Sequence, residues 1–138
     1  MTDDLFPHET RRSLPIALLR AREAIMQHFR PMLAAHNLTE QQWRVMRILA
    51  ETGRQDASEL AGKAAILGPS LSRILDTLEQ RGLIERLRDK DDRRRAQLSL
   101  TGSGAAIIHD VMPDSRKVYA LIEARFGRDR VAALLDLL

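Results

Sequence analysis

Apolar positions recur along this chain at two spacings, and the change from one to the other marks its organisation. From about Ser13 to His36 the spacing is helical, with Leu18, Ile25, Phe29, Met32 and Leu33 as apolar positions and Pro15 tolerated in the opening turn. A second helix is expected from Thr39 to Gly53, carried by Val45, Met46, Ile48 and Leu49. Thr39 can cap it, Gln42 three residues on completes a capping box, and Leu38 with Trp43 sits where a hydrophobic staple forms. Gly53 is a natural stop. A short third helix follows from Asp56 or Ser58 to about Ala64, with Leu60 and Ala61 inward. The dipeptide Gly68-Pro69 then opens a fourth, from Pro69 to Arg81, ending at Gly82.

After Gly82 the period shortens to two. In RGLIERLRDKDDRRRAQLSLT, residues 81–101, Leu83, Glu85 and Leu87 alternate with Ile84, Arg86 and Arg88, and Gln97 and Ser99 alternate with Leu98 and Leu100. The spacing predicts a β-hairpin with a polar tip from Asp89 to Arg95. Helical spacing returns after Thr101: a long helix over 102–126 carries Ile107, Ile108, Val111, Tyr119, Ile122 and Phe126, with Pro113 expected to bend or break it. A last helix, Asp129 to Leu138, is aliphatic on one side through Val131, Leu134, Leu135 and Leu138, a stripe that needs a cover.

On a helical wheel the fourth helix places Leu71, Ile74, Leu75 and Leu78 on one face. The other carries Ser72, Arg73, Asp76, Thr77 and Gln80, with Ser70 at its edge. One face packs and the other is available to read. Two short helices joined by a tight turn match a helix-turn-helix, whose second helix enters the DNA major groove. There Ser70, Ser72 and Thr77 permit close approach, and Arg73 can make a bidentate contact to guanine. An ordinary amphipathic surface helix fits the same pattern, but the basic hairpin that follows is hard to explain as surface decoration. Residues 81–95 hold seven basic side chains against four acidic ones, a local +3 that equals the formal charge of the whole chain.

Composition narrows the partners. Aromatic residues make up 4% of the 138 and aliphatic residues are plentiful, as in a mainly helical protein. With no cysteine, a disulfide scaffold, a thiolate zinc site and a thiol redox sensor are excluded. His8, His28, His36 and His109 have no metal-ligand spacing, so no metal and no cofactor are expected. No apolar run approaches the roughly 20 residues of a membrane span, and the start MTDDLFPHETRRSL lacks an apolar signal core, so a cytoplasmic protein is expected. The basic residues are nineteen arginines and three lysines, a balance that favours anionic partners. Nothing supplies a nucleophile, a glycine-rich phosphate loop or an acid/base grouping, so catalysis is not expected.

Residues 58–104 resemble the winged helix of the MarR family, in Leu60-Ala61, the strand entry Arg81-Gly82-Leu83-Ile84, Asp89, Asp92, Arg94, and Leu100-Thr101 with Gly104. The family commonly has a basic residue two places after the first wing aspartate, where this chain has Asp91. Residues 21–51 resemble more narrowly the HpaR type, regulators of homoprotocatechuate (3,4-dihydroxyphenylacetate) degradation. The resemblance implies one domain over 1–138, mainly α with a small β-hairpin: a winged helix-turn-helix at 39–101 with its wing at 88–96, and dimerisation helices at 13–36 and 102–138.

It also implies roles. Arg94 would enter the minor groove, held by an ion pair from Asp92; Arg93 and Arg95, alternating to the other side of the strand, are assigned to phosphates, Arg93 before Arg95, and Arg88 is a further expected DNA contact. Arg22 and His28 resemble, in type and spacing, an arginine and histidine that protocatechuate-responsive members use for their effector. An arginine fork suits a carboxylate and a neutral histidine a phenol. Trp43 and Arg47 are pocket-wall candidates. For each a plainer role is open: an ion pair for Arg22, a solvated position for His28, the core for Trp43. The expected function is a homodimeric, ligand-responsive regulator that binds a palindromic double-stranded operator, a repressor of an aromatic-acid catabolic operon released by a small aromatic carboxylate. The alternative is an architectural or non-specific DNA-binding protein with no effector.

Overall fold

The computed structural model describes residues 9–88, 91 and 96–138. After a 3₁₀ turn at Thr10–Arg12 come α1 (Leu14–Ala35), α2 (Glu40–Thr52), β1 (Gln55–Asp56), α3 (Ala57–Ala64), α4 (Gly68–Gln80), β2 (Ile84–Arg88), β3 (Ala96–Leu100), α5 (Gly102–Phe126) and α6 (Arg128–Leu137). The capping box of α2 forms as expected: the Gln42 backbone N–H donates to Thr39 Oγ1 at 3.1 Å, and the Thr39 N–H donates to Gln42 Oε1 at 3.0 Å. Gly53 ends that helix at φ 73°, a conformation that favours glycine.

The expected hairpin forms as β2 and β3, and a third strand joins it in the order β1-β3-β2, because Gln55 pairs with Leu98 and Asp56 with Gln97. Two residues of extended chain carry no periodic signal, and β1 exists only because β3 offers it an edge. Asp56 still does the capping expected of it, accepting from the Glu59 N–H at 2.8 Å. One expectation is corrected in part: α5 is not broken at Pro113 but is one helix from Gly102 to Phe126. Proline removes a single N–H donor from the ladder, and the flanking turns hold because Val111 and Ser115 are buried against the rest of the fold.

The core lies where α1, α2, α4 and α5 meet the hairpin, with Leu33, Val45, Met46, Leu60, Leu71, Leu78, Ile84, Leu98 and Val111 fully buried. The start of α5 is pressed onto the entry to β2. The Thr101 N–H donates to Leu83 O at 3.1 Å, its hydroxyl donates to Gly82 O at 2.6 Å, and that hydroxyl caps the Gly104 N–H at 3.1 Å. Gly104 is needed there: a Cβ would lie 2.2 Å from Leu83 O.

Apolar side chains remain uncovered at the two ends of the chain. Leu14 and Leu19 on α1, Phe126 on α5, and Leu134, Leu135 and Leu137 on α6 are each more than half exposed. Among the described residues no helix is long and apolar enough to cross a membrane.

Candidate nucleic-acid interface and effector cleft

Helix α3 ends at Ala65, which takes a left-handed conformation at φ 53°. Arg44 of α2 closes that end, donating through Nη1 to Ala64 O at 2.8 Å while its Nη2 holds Glu40 Oε1 at 3.1 Å. The turn that follows delivers α4 with Leu71, Leu75 and Leu78 buried and Ile74 half-buried, so its register is fixed by the core. Ser72, Arg73, Asp76, Thr77 and Gln80 face outward and Ser70 is half-buried, matching the expected wheel. The Ser72 and Thr77 hydroxyls donate to carbonyls four residues back, Gly68 O at 3.2 Å and Arg73 O at 3.1 Å, leaving their lone pairs to accept from a ligand. At the far end of α4, Arg81 donates to Asn37 O at 2.8 Å and pins the helix to the α1–α2 turn.

The hairpin pairs Ile84 with Leu100, Arg86 with Leu98 and Arg88 with Ala96. Arg86 donates to Asp76 Oδ1 and Glu79 Oε2, both at 2.7 Å, tying β2 to α4. Arg73 and Arg88 are exposed and make no ion pair among the described residues. Two exposed guanidiniums, neither in an ion pair among the described residues, therefore stand on α4 and on the strand tied to it. The expected contacts Asp92, Arg93 and Arg94, and also Arg95, lie outside the described residues.

The four effector candidates do not share one cleft within a subunit. Arg22 and His28 are six residues apart, about 240° around a helix, so they face different neighbours. Arg22 pairs with Glu40, a carboxylate that also receives Arg30 Nε at 3.2 Å. Arg30 in turn grips Glu23 through two bonds of 2.7 and 3.0 Å. His28 instead lines a cleft of about 90 Å³ with Ile25, Ile122, Arg125 and Phe126, well below the roughly 300 Å³ at which sites for small organic ligands begin. Trp43 is buried in the core.

Arg47 finds a partner that the sequence did not suggest. Its Nη1 donates to the Tyr119 hydroxyl at 2.9 Å, its Nε donates to Glu51 Oε1 at 3.2 Å, and it stands 5.9 Å from the Tyr119 ring centroid. Burial disfavours the Arg47 cation, but the Tyr119 hydrogen bond and the Glu51 carboxylate outweigh it, and its pKa lies above the ordinary value. Tyr119 is braced edge-on by Phe29, with ring centroids 5.1 Å apart. A permanent cation, a phenol and aromatic edges, half open to solvent, can receive an aromatic ring bearing a carboxylate. Tyr119 counted in the sequence only as an apolar position. Its pairing spans 72 residues of chain, and no local spacing could have signalled it.

Residues 38–96 match the model described as the MarR family. The chain is 47% identical to the homoprotocatechuate degradative operon repressor of Escherichia coli over 126 residues, 91% of this chain and 85% of that protein. Among solved structures it is similar to NadR in complex with 4-hydroxyphenylacetate, with TM-score 0.82, 42% identity, and 94% and 92% of the two chains covered. It is also similar to the transcriptional repressor CouR bound to a 23-mer DNA duplex, with TM-score 0.82, 32% identity, and 91% and 89% covered.

Proposed function

Because the chain belongs to the MarR family, we propose that it is a transcriptional repressor that holds operator DNA as a homodimer and releases it when a small aromatic carboxylate binds. The observation that carries the reading is the outward face of α4 lying beside a hairpin, with Arg73 on one and Arg88 on the other, both exposed and without an ion pair among the described residues. Helix α4 enters the major groove, where Arg73 reads a base edge and Ser70, Ser72 and Thr77 make close contacts. Arg88, with Arg93 and with Arg94 held by Asp92, grips the flanking backbone and minor groove. Residues 39–101 form the reading unit. The helices at 13–36 and 102–138 form the dimer, which covers the uncovered apolar side chains of α1, α5 and α6.

The effector belongs to the class that the similar proteins are named for, a phenol-bearing aromatic acid such as 4-hydroxyphenylacetate or homoprotocatechuate. Arg47 and Tyr119 are the groups of one subunit best placed for its carboxylate. Trp43 supports that wall from the core, and Arg22 and His28 reach the effector only where a second subunit completes the cleft. Release needs little energy. A ligand that favours the DNA-incompatible arrangement by about 1–3 kcal/mol loosens the operator roughly 5- to 150-fold. The protein works in the cytoplasm and needs no catalytic chemistry.

The test is fluorescence anisotropy on a palindromic duplex from the gene's own upstream region, at fixed salt, with and without each acid. Selective binding relieved by one of them is expected. Equal affinity for a scrambled duplex, with no response to any acid, would instead favour a non-specific architectural protein.

A further inference from the structure

Alternate residues of β2 share the face that also carries buried Leu98 of the paired strand, and along that face the chemistry changes stepwise. Ile84, 2% exposed, belongs to the core. Two residues on, Arg86 meets α4. Two further, Arg88 is exposed and makes no ion pair among the described residues. The Arg86 guanidinium engages two carboxylates at once, Nη2 on Asp76 Oδ1 and Nε on Glu79 Oε2, each at 2.7 Å. Because the group is planar, two bonds from different edges fix its orientation as well as its position. Asp76 and Glu79 lie three residues apart on α4, one turn along, so the pair forms a bracket across the helix surface.

Stability is a poor explanation for this bracket. The Arg86, Asp76 and Glu79 side chains are 36%, 66% and 47% exposed, and ion pairs so open to water contribute little to folding. Its location is more telling, since it joins the two elements whose relative placement a DNA duplex would sense. We propose that Arg86 is a positioning residue for DNA recognition: it clamps the wing to α4, so that Arg73 and Arg88 meet the duplex at one fixed separation. The inference rests on the reading of α4 and the wing as DNA-binding elements. Electrostatics alone would demand the opposite of Asp76 and Glu79, because carboxylates facing a phosphate polyanion weaken binding.

That opposition of sign supplies the test. A duplex is selected from a random pool by the wild-type protein, and anisotropy is measured on it and on a scrambled duplex at several salt concentrations. The proteins are wild type, Arg86→Gln, Arg86→Lys, the double variant Asp76→Asn/Glu79→Gln, and Arg73→Ala as the control for DNA reading. The double variant keeps the side-chain shapes and removes two negative charges. Its affinity for scrambled DNA should rise, while its ratio of selected to scrambled affinity falls about tenfold, as when one specific contact is lost. Arg86→Gln should lower the same ratio, Arg86→Lys should recover only part of it, and combining Arg86→Gln with the double variant should add nothing. Thermal midpoints close to wild type would confirm that folding is not at issue. A double variant that tightens on both duplexes equally overturns the clamp and leaves charge alone. If wild type shows no selectivity, or Arg73→Ala changes nothing, the DNA reading itself fails; if Arg73→Ala loses selectivity while every Arg86 and carboxylate variant keeps it, only the clamp fails.

Discussion

The Arg47 guanidinium donates to the Tyr119 hydroxyl at 2.9 Å, joining α2, which leads into the helix-turn-helix, to α5, which leads towards the apolar C-terminal end. A carboxylate arriving there would take bonds from both groups and alter the link between the two helices. Under the proposed function, the contact serves both as the effector's carboxylate site and as a joint between the reading unit and the helices proposed to dimerise.

Arg47→Ala should abolish the effector response while leaving operator affinity within a few-fold of wild type. A charged hydrogen bond is worth about 1.5–3 kcal/mol, so aromatic-acid affinity should fall at least tenfold, measured by calorimetry. Tyr119→Phe should lose less. Undiminished binding of the acid to Arg47→Ala would move the site elsewhere, with the His28 cleft as the next candidate.

Arg73 and Arg88 should fail in different ways. Arg73→Ala should cost about 1–3 kcal/mol on the operator and relax preference at one base position, whereas Arg88→Ala should weaken all duplexes alike and reduce the salt slope by about 1. Salt titrations on operator and scrambled duplexes read both. Identical behaviour of the two variants would refute the division into base and phosphate contacts.

Leu135 is 66% exposed and Leu134 51% exposed, so neither is needed for the fold of a single chain. Leu134→Asp/Leu135→Asp should give a helical protein that sediments as a monomer and binds the operator far more weakly, because one reading helix replaces two. A variant that still sediments as a dimer would place the interface away from α6.

Gly104→Ala should destabilise the fold. Its Cβ would meet Leu83 O at 2.2 Å, a backbone atom that cannot swing aside. Forcing α5 off β2 should cost about 1–3 kcal/mol, like other overpacked sites, and lower the thermal midpoint by several degrees. An unchanged midpoint would mean that the helix start adjusts freely.

Glu23 should titrate below the ordinary 4.5, chiefly because Arg30 donates to it; burial opposes this, and the charges of Arg30 and Arg22 add to it. For a carboxylate whose folded pKa is depressed, the stabilisation is present above the unfolded value and is lost as pH falls through the folded one. Arg30→Gln should move the Glu23 midpoint upward in an NMR pH titration. A midpoint that stays put would remove Arg30 as the cause.

The sequence by itself determined the features that rest on near neighbours. The Thr39–Gln42 capping box, the outward face of α4 and the alternating hairpin all follow from hydrogen bonds or side-chain directions repeating within a few residues, so spacing reveals them. The family resemblance was legible for the same reason, since its motifs are contiguous. The tertiary structure decided whatever joins distant segments. It added the two-residue β1, which has no periodicity and pairs only because β3 is present; it carried α5 through Pro113 on the strength of surrounding burial; and it sent Arg22 to Glu40 and His28 towards α5, because six residues on a helix point in different directions. Arg47 with Tyr119, and Arg86 with Asp76 and Glu79, are likewise set by packing. A side chain reaching across the fold takes whichever partner the core brings within 3 Å, and nothing in its own neighbourhood along the chain specifies which that is.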